Sequence, residues 1–132
     1  MSDMLNFELV SPERKLASVE AESVTIPGME GDLTAMANHA PFLTNLRPGY
    51  VVVRNGSSED GYFVTGGFAE ISDNTVSVLA EEAIEKADLN RAFIEEKLGL
   101  AEQALADAGP SRKQAAQQKL NDYKALLGQV PG

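Results

Sequence analysis

The sequence predicts a β-sandwich of about ten short strands followed by an antiparallel two-helix hairpin, and three observations carry that prediction. Between positions 24 and 50 the apolar runs are cut at close intervals by Pro27-Gly28, Gly31, Asn38, Pro41 and Pro48-Gly49. Proline fixes φ and removes a donor, and glycine permits positive φ, so each cut is a turn and no long helix fits between them. On either side of this stretch the apolar residues alternate with polar ones, the period of a half-buried strand. From position 88 onward the apolar spacing becomes helical. The expected division is a sandwich over residues 1–84 and a helical hairpin over residues 88–130.

In order along the chain, residues 4–10 place Leu5, Phe7 and Leu9 on one face and Asn6, Glu8 and Val10 on the other. Ser11-Pro12-Glu13 turns this strand, and residues 15–19 form a second. Residues 22–26 alternate again and end at Pro27-Gly28. A short apolar strand over 33–36 leads to a loop at 38–41, because asparagine favours turns and the residue before Pro41 is pushed out of helical φ/ψ. Strands at 42–46 and 50–54 flank Arg47-Pro48-Gly49, and the β-branched run Val51-Val52-Val53 supports the second. The polar run from Asn55 to Gly61 is expected to be a hairpin loop before a strand at 62–65. Gly66-Gly67 interrupts as a bulge or close backbone approach, with Phe68 filling core. Residues 68–71 and 75–79 then make a hairpin about Asp73-Asn74. Strands this short and closely spaced suit a sandwich.

In the C-terminal part, Ile94, Leu98, Ala101, Leu105 and Ala108 step by four, three, four and three, a heptad seam. Gly109-Pro110 stops that helix, and Ser111-Arg112-Lys113-Gln114 fits a capping box for the next. Ala116, Leu120, Tyr123, Leu127 and Val130 repeat the seam. Two seams joined by so short a turn predict an antiparallel pair. The seams are rich in alanine, and Gly99 costs about 1 kcal/mol relative to alanine, so the hairpin is expected to be marginal alone and able to change partner.

Composition narrows the function classes. With 43% hydrophobic residues the chain is globular. Twenty acidic residues against eleven basic ones give a formal net charge of −9, which repels phosphate backbones and argues against nucleic acid as a partner. A basic protein surface fits better. There is no cysteine and one histidine, which leaves no disulfide framework and no zinc ligand set. The first residues carry acid where a targeting peptide carries base, and no apolar run approaches the roughly 20 residues of a membrane-spanning helix. Direct membrane insertion is not expected.

Three groups of residues are candidate sites. His39 titrates near neutral pH and, oriented by Asp32 or Glu30, has the chemistry of an acid or base. No nucleophile motif accompanies it, so a small hydrolase is disfavoured and a loop or interface histidine is the plainer reading. Asp88 and Arg91 open the first helix. An arginine fork pairs well with phosphate, but an N-cap and a solvated first-turn arginine explain the same residues. Arg112, Lys113, Lys119 and Lys124 place positive charge on the second helix of an acidic protein, with Arg112 and Lys119 seven apart beside the seam. A solvated helix face is the competing account.

The ordered set Pro27-Gly28, Gly31-Asp32-Leu33, His39-Ala40-Pro41, Leu46, Pro48-Gly49, Gly66-Gly67-Phe68, Glu70 and Val76 to Ala80 resembles the epsilon subunit of the F-type ATP synthase over nearly the whole chain. The resemblance implies a non-catalytic subunit of the central stalk, needing no cofactor. Its sandwich would bind the gamma subunit and the ring of c subunits, and its hairpin would lie folded or extend toward the alpha and beta catalytic subunits to restrain ATP hydrolysis. It implies a rotor interface at Asp32 and His39 and inhibitory contacts at Arg112, Lys113, Lys119 and Lys124. Asp88-Leu89-Asn90-Arg91-Ala92 is similar to the family's ATP-binding signature, with Ala87 where an aliphatic residue usually precedes it, so ATP is a candidate regulatory ligand. The implied location is the cytoplasmic face of a bacterial inner membrane, or a plastid stroma. A free-standing ATP-binding sensor module is the alternative.

Overall fold

The computed structural model describes residues 4–38 and 40–128, which form two compact units divided between Ala87 and Asp88. The first unit holds ten strands: β1 (Leu5–Val10), β2 (Lys15–Ala21), β3 (Ser23–Gly28), β4 (Gly31–Met36), β5 (Phe42–Leu46), β6 (Gly49–Asn55), β7 (Ser58–Val64), β8 (Gly67–Ser72), β9 (Thr75–Ala80) and β10 (Ala83–Glu85). A 3-10 turn follows at Lys86–Asp88. The second unit holds α1 (Arg91–Asp107) and α2 (Lys113–Leu127).

The strands form one hydrogen-bonded ladder in the order β10-β7-β6-β3-β5-β8-β9-β1-β2, with β4 paired on β3. The ladder folds over on itself as a sandwich, and a single core draws on both halves of it. Leu5, Phe7, Leu9, Ile71, Val76 and Val78 come from one half, and Val24, Ile26, Ala35, Val51 and Val53 from the other. Each of the larger apolar side chains so buried contributes about 1.5–3 kcal/mol. The expected alternation in β1 is realised, since Leu5, Phe7 and Leu9 are all buried. Nearly every pairing is antiparallel. The exception is β1 with β9, which run parallel from Asn6 opposite Thr75 to Val10 opposite Leu79.

Several local expectations are corrected. The polar run after Arg54 is not a long loop: β6 and β7 pair continuously to Asn55 opposite Ser58, around a two-residue Gly56-Ser57 turn. Exposed strand ends tolerate polar side chains, so polarity there marks solvent and not a break in pairing. β3 ends at Gly28 as expected, but Pro27 and Gly28 are themselves paired residues of the strand and not a turn after it. Pro27 pairs with Asp32, and Gly28 with both Gly31 and Leu46. Proline is tolerated because pairing with β6 spans only Ser23, Val24 and Thr25, so the missing donor falls where β3 passes from β6 to β5. Phe68 does not fill core. It is 42% exposed, while Ala69 and Ile71 of the same strand point inward. The three-residue β10 was too short to give a periodic signal.

In the second unit, α1 and α2 pack together as the seams predict. Ile94, Ala101, Leu120 and Tyr123 are buried, as is Leu126, which the predicted seam omits. Val130 lies outside the described residues. The helix starts differ from expectation. Asn90, not Asp88, caps α1, its Oδ1 accepting the Phe93 N–H at 2.9 Å. The capping box at Ser111 does not form. Pro110 and Ser111 lie in a turn closed by Arg112 N–H to Gly109 O at 3.0 Å, and α2 starts after Arg112 without a side-chain cap.

Candidate functional site

Two surfaces of the sandwich and one of the hairpin carry the candidate residues. The first is the β3–β4 tip. Its turn, Met29-Glu30, is held by Met29 N–H to Asn45 O at 2.8 Å, and β3 is further tied by Arg47 N–H to Pro27 O at 3.0 Å. Gly49 is required here, because a Cβ on it would stand 2.8 Å from that of Pro27. Asp32 lies beside this turn and pairs with Arg47 at 3.6 Å. The pair is solvent-exposed, so it is worth at most about 1 kcal/mol and serves to fix the tip's charge pattern. Met29 stands out at 53% exposure. The tip is thus a braced knob with an apolar point and a carboxylate beside it.

His39 lies outside the described residues. Its neighbour Asn38 adopts φ 66° and donates its N–H to Asp73 O at 2.6 Å, which ties this loop to the β8–β9 turn. Asp32 lies near the start of β4 and Met36 at its end, roughly 13 Å apart at strand rise, with Asn38 in the turn beyond. Asp32 therefore braces Arg47 at the opposite end of β4 from Met36.

The second surface was not anticipated. On the outer face of the sheet, Phe68 stands opposite Leu79, and Leu79 opposite Val10. Leu43, one pair further along on β5, faces the same way beside Glu70. Leu43 is 64% exposed and Leu79 43%. Phe68, Leu79 and Val10 thus make an apolar row across β8, β9 and β1 that meets Asn45 on β5, and beside it runs a second row of Leu43, Glu70, Ser77 and Glu8. The signal was present in the sequence: phase counted back from Ile71 and Ala69 puts Phe68 outward.

Gly66 and Gly67 make that phase possible. Both have positive φ, 151° and 127°. A Cβ on Gly67 would overlap the carbonyl oxygen of Leu79, so only glycine lets β8 start this close to β9. Thr65, beside them, buries a hydroxyl that makes no hydrogen bond to the protein. At the other edge, the Lys86 ammonium lies 5.1 Å from the Tyr50 ring centroid. Burial pushes the Tyr50 phenol up. Burial, then the charges of Asp60 and Glu85, do the same to Tyr62.

The hairpin carries the remaining candidates. Asp88 falls in the 3-10 turn before α1, and Arg91 is the first residue of α1. Arg91 reaches across to α2, its Nη1 donating to the Leu127 carbonyl at 3.4 Å. Arg112 and Lys113 stand at the start of α2, Lys119 in its middle and Lys124 in its last turn, all exposed. At helical spacing Arg112 and Lys119 share one side of α2, while Lys113 and Lys124 lie together more than a quarter-turn away. Among the described residues no cluster of His, Cys, Asp and Glu is arranged to hold a metal ion, and no helix is long and apolar enough to cross a membrane.

A braced tip, an exposed apolar row and exposed basic residues on α2 give this chain surfaces suited to contact with other proteins, the mark of an interaction module. Residues 4–86 match the family model for the ATP synthase Delta/Epsilon chain beta-sandwich domain. The chain is 48% identical over 126 residues to the ATP synthase epsilon chain of Rhodobacter capsulatus, covering 96% of both chains. It is 45% identical to that of Cereibacter sphaeroides with the same coverage. In fold it is similar to a chain in the Euglena gracilis mitochondrial ATP synthase (OSCP/F1/c-ring), with TM-score 0.71 and 21% identity over 93% of this chain and 79% of that one. It is also similar to a chain in the Tetrahymena thermophila ATP synthase central stalk and c-ring, with TM-score 0.64 and 16% identity over 96% and 98%. The chain belongs to the ATP synthase epsilon chain family, and as such it is a non-catalytic subunit of that complex.

Proposed function

We propose that this chain is a central-stalk subunit that couples rotation of the c ring to the catalytic head through the gamma subunit. The observation that carries the reading is the apolar row of Phe68, Leu79 and Val10 on the outer face of the sandwich, with the exposed Leu43 diagonal to it. Exposed contiguous apolar surface on a small domain marks a protein contact, and the flanking carboxylates fit a partner with basic residues around an apolar centre. We assign this face to gamma. The braced β3–β4 tip, with Met29 and Asp32, and the His39 loop are assigned to the c ring. Torque passes through such a subunit only if its contacts do not yield, and the backbone bonds that brace the tip suit that demand. The work is mechanical, with no bond made or broken by this chain.

The basic residues Arg112, Lys113, Lys119 and Lys124 are assigned to acidic surface on the catalytic subunits, where they would restrain ATP hydrolysis. The complex would hold this chain at the cytoplasmic face of the bacterial inner membrane, without a membrane-crossing helix of its own.

The test is retention. Immobilised chain should capture gamma and the catalytic head from its native membranes, and Phe68→Asp with Leu79→Asp should abolish capture while the circular dichroism of the sheet is kept. Capture undiminished by the double substitution would remove the row from the interface. Capture of no synthase subunit by the folded chain would refute the stalk reading itself.

A further inference from the structure

We propose that Asn55-Gly56, at the tip of the β6–β7 hairpin, is a site of covalent self-modification, where the asparagine converts to aspartate or isoaspartate through its own backbone, and that the Glu22 carboxylate is the guard that sets the rate. Asn55 is the one asparagine of the sequence followed by glycine. A glycine nitrogen has no side chain beside it to shield it, so it reaches the preceding side-chain carbonyl more readily than that of any other residue. The reaction needs water alone. The Gly56 nitrogen attacks the Asn55 side-chain carbonyl carbon and gives its proton to solvent. The adduct expels the side-chain nitrogen as ammonia and leaves a cyclic succinimide. Water opens that ring at either carbonyl, which gives aspartate or isoaspartate at position 55.

The turn exposes this pair and then restrains it. Asn55 pairs with Ser58 as the last rung of the β6–β7 ladder, and Asn55, Gly56 and Ser57 are all exposed. Gly56 has φ 65°, the left-handed region that a two-residue hairpin turn asks of its first residue. Both reacting groups are held by neighbours. The Gly56 N–H donates to Glu22 Oε1, and a Cβ on Gly56 would stand 3.8 Å from the same oxygen, so the carboxylate sits against the nucleophile itself. A negative charge there disfavours loss of the Gly56 proton, because the resulting anion would face it. Glu22 is fixed in turn by its own N–H, which donates to Arg54 O at 2.9 Å. The Asn55 Nδ2 donates to Glu20 O at 3.4 Å, which ties the side-chain amide to β2. Asp60-Gly61 is open to the same ring closure, with water as the leaving group. It lies inside β7, with Asp60 opposite Val53 and Gly61 opposite Val52, so its backbone is held extended.

Conversion breaks what the Asn55 side chain holds. A carboxylate has no donor for Glu20 O. It also adds negative charge near Glu22, in a chain that already carries −9. Isoaspartate runs the main chain through the former side chain and displaces the closing pair with Ser58. In either product the side-chain link from β6 to β2 is lost. This inference does not rest on the stalk reading, since it concerns the chain's own chemistry.

Ageing the purified full-length chain in mildly alkaline buffer tests it, read by chromatography and mass spectrometry of its proteolytic peptides. Conversion at Asn55 should outrun that at every other asparagine, Asn121 included. Glu22→Ala, which frees the Gly56 N–H, should speed it roughly two- to tenfold, the range for losing one exposed hydrogen bond. Glu22→Gln, which keeps an acceptor without the charge, should give a smaller acceleration. Isomerisation at Asp60-Gly61 should stay slow in all three chains. Conversion at Asn55 no faster than at Asn121 would overturn the site. An unchanged or slower rate in Glu22→Ala would overturn the guard. A parallel rise at Asp60-Gly61 would overturn it too, because the substitution would then act by unfolding the sandwich and not by releasing the turn.

Discussion

Gly67 and Thr65 show how narrowly single residues hold the junction between β7 and β8. Gly67→Ala puts a methyl group into the Leu79 carbonyl at φ 127°. It should destabilise the sandwich by roughly 2–4 kcal/mol in denaturant titration, and a change below about 1 kcal/mol would show that β8 can shift away. Thr65→Val has the opposite expectation. The hydroxyl is buried without a protein partner, so replacing it with a methyl group should raise stability by about 1 kcal/mol in the same assay, and a loss would reveal a partner for it. The tyrosines set a pH limit. Tyr50 and Tyr62 are both raised above 10, so the folded state holds its phenolic protons after the unfolded chain has released them. Their contribution is fully present below pH 10 and is lost as pH climbs through the raised values. Unfolding midpoints measured up to pH 11 should fall above pH 10, and replacing both tyrosines by phenylalanine should flatten that fall. Phe68 marks where reading single residues failed. Its size suggested core, whereas the strand's phase, set by Gly66-Gly67, sends it outward.

Among the elements, α1 and its cap give the cleanest prediction. Asn90→Ala removes the side-chain acceptor of the Phe93 N–H and should destabilise the hairpin by about 1 kcal/mol, read as faster exchange at residues 92–94, whereas Asp88→Ala should have little effect there. Equal effects from the two substitutions would restore Asp88 as the cap. Strands and helices were legible because each displays its period several times over. The alternation of Leu5, Phe7 and Leu9 and the two seams needed no knowledge of neighbours. Element ends were less legible because they depend on turn geometry. Ser111 has the chemistry of a cap, but the turn from Gly109 to Arg112 starts α2 after it has passed. The polar ends of β6 and β7 look like loop because nothing buries them, although the backbone pairs throughout.

At the scale of the whole molecule, the core of the sandwich is drawn from residues before Ala87. A chain ending at Ala87 should therefore unfold in a single cooperative transition and keep its β-sheet dichroism. Loss of that transition would mean that the sandwich borrows stability from the hairpin. Asp32 and the basic residues of α2 were visible as candidates from their types, but the structure pairs Asp32 with Arg47 and gives Arg91 to Leu127. Neither pairing is local in sequence, so no spacing announced it. The parallel pairing of β1 with β9 has a consequence for synthesis. On the ribosome β1 emerges first, yet one of its flanking strands is made only once residues 75–79 have been added. Until then β1 has only β2 as a hydrogen-bonded neighbour. A nascent chain stalled short of Thr75 would leave one edge of β1 unpaired, open to chaperones and proteases until β9 arrives.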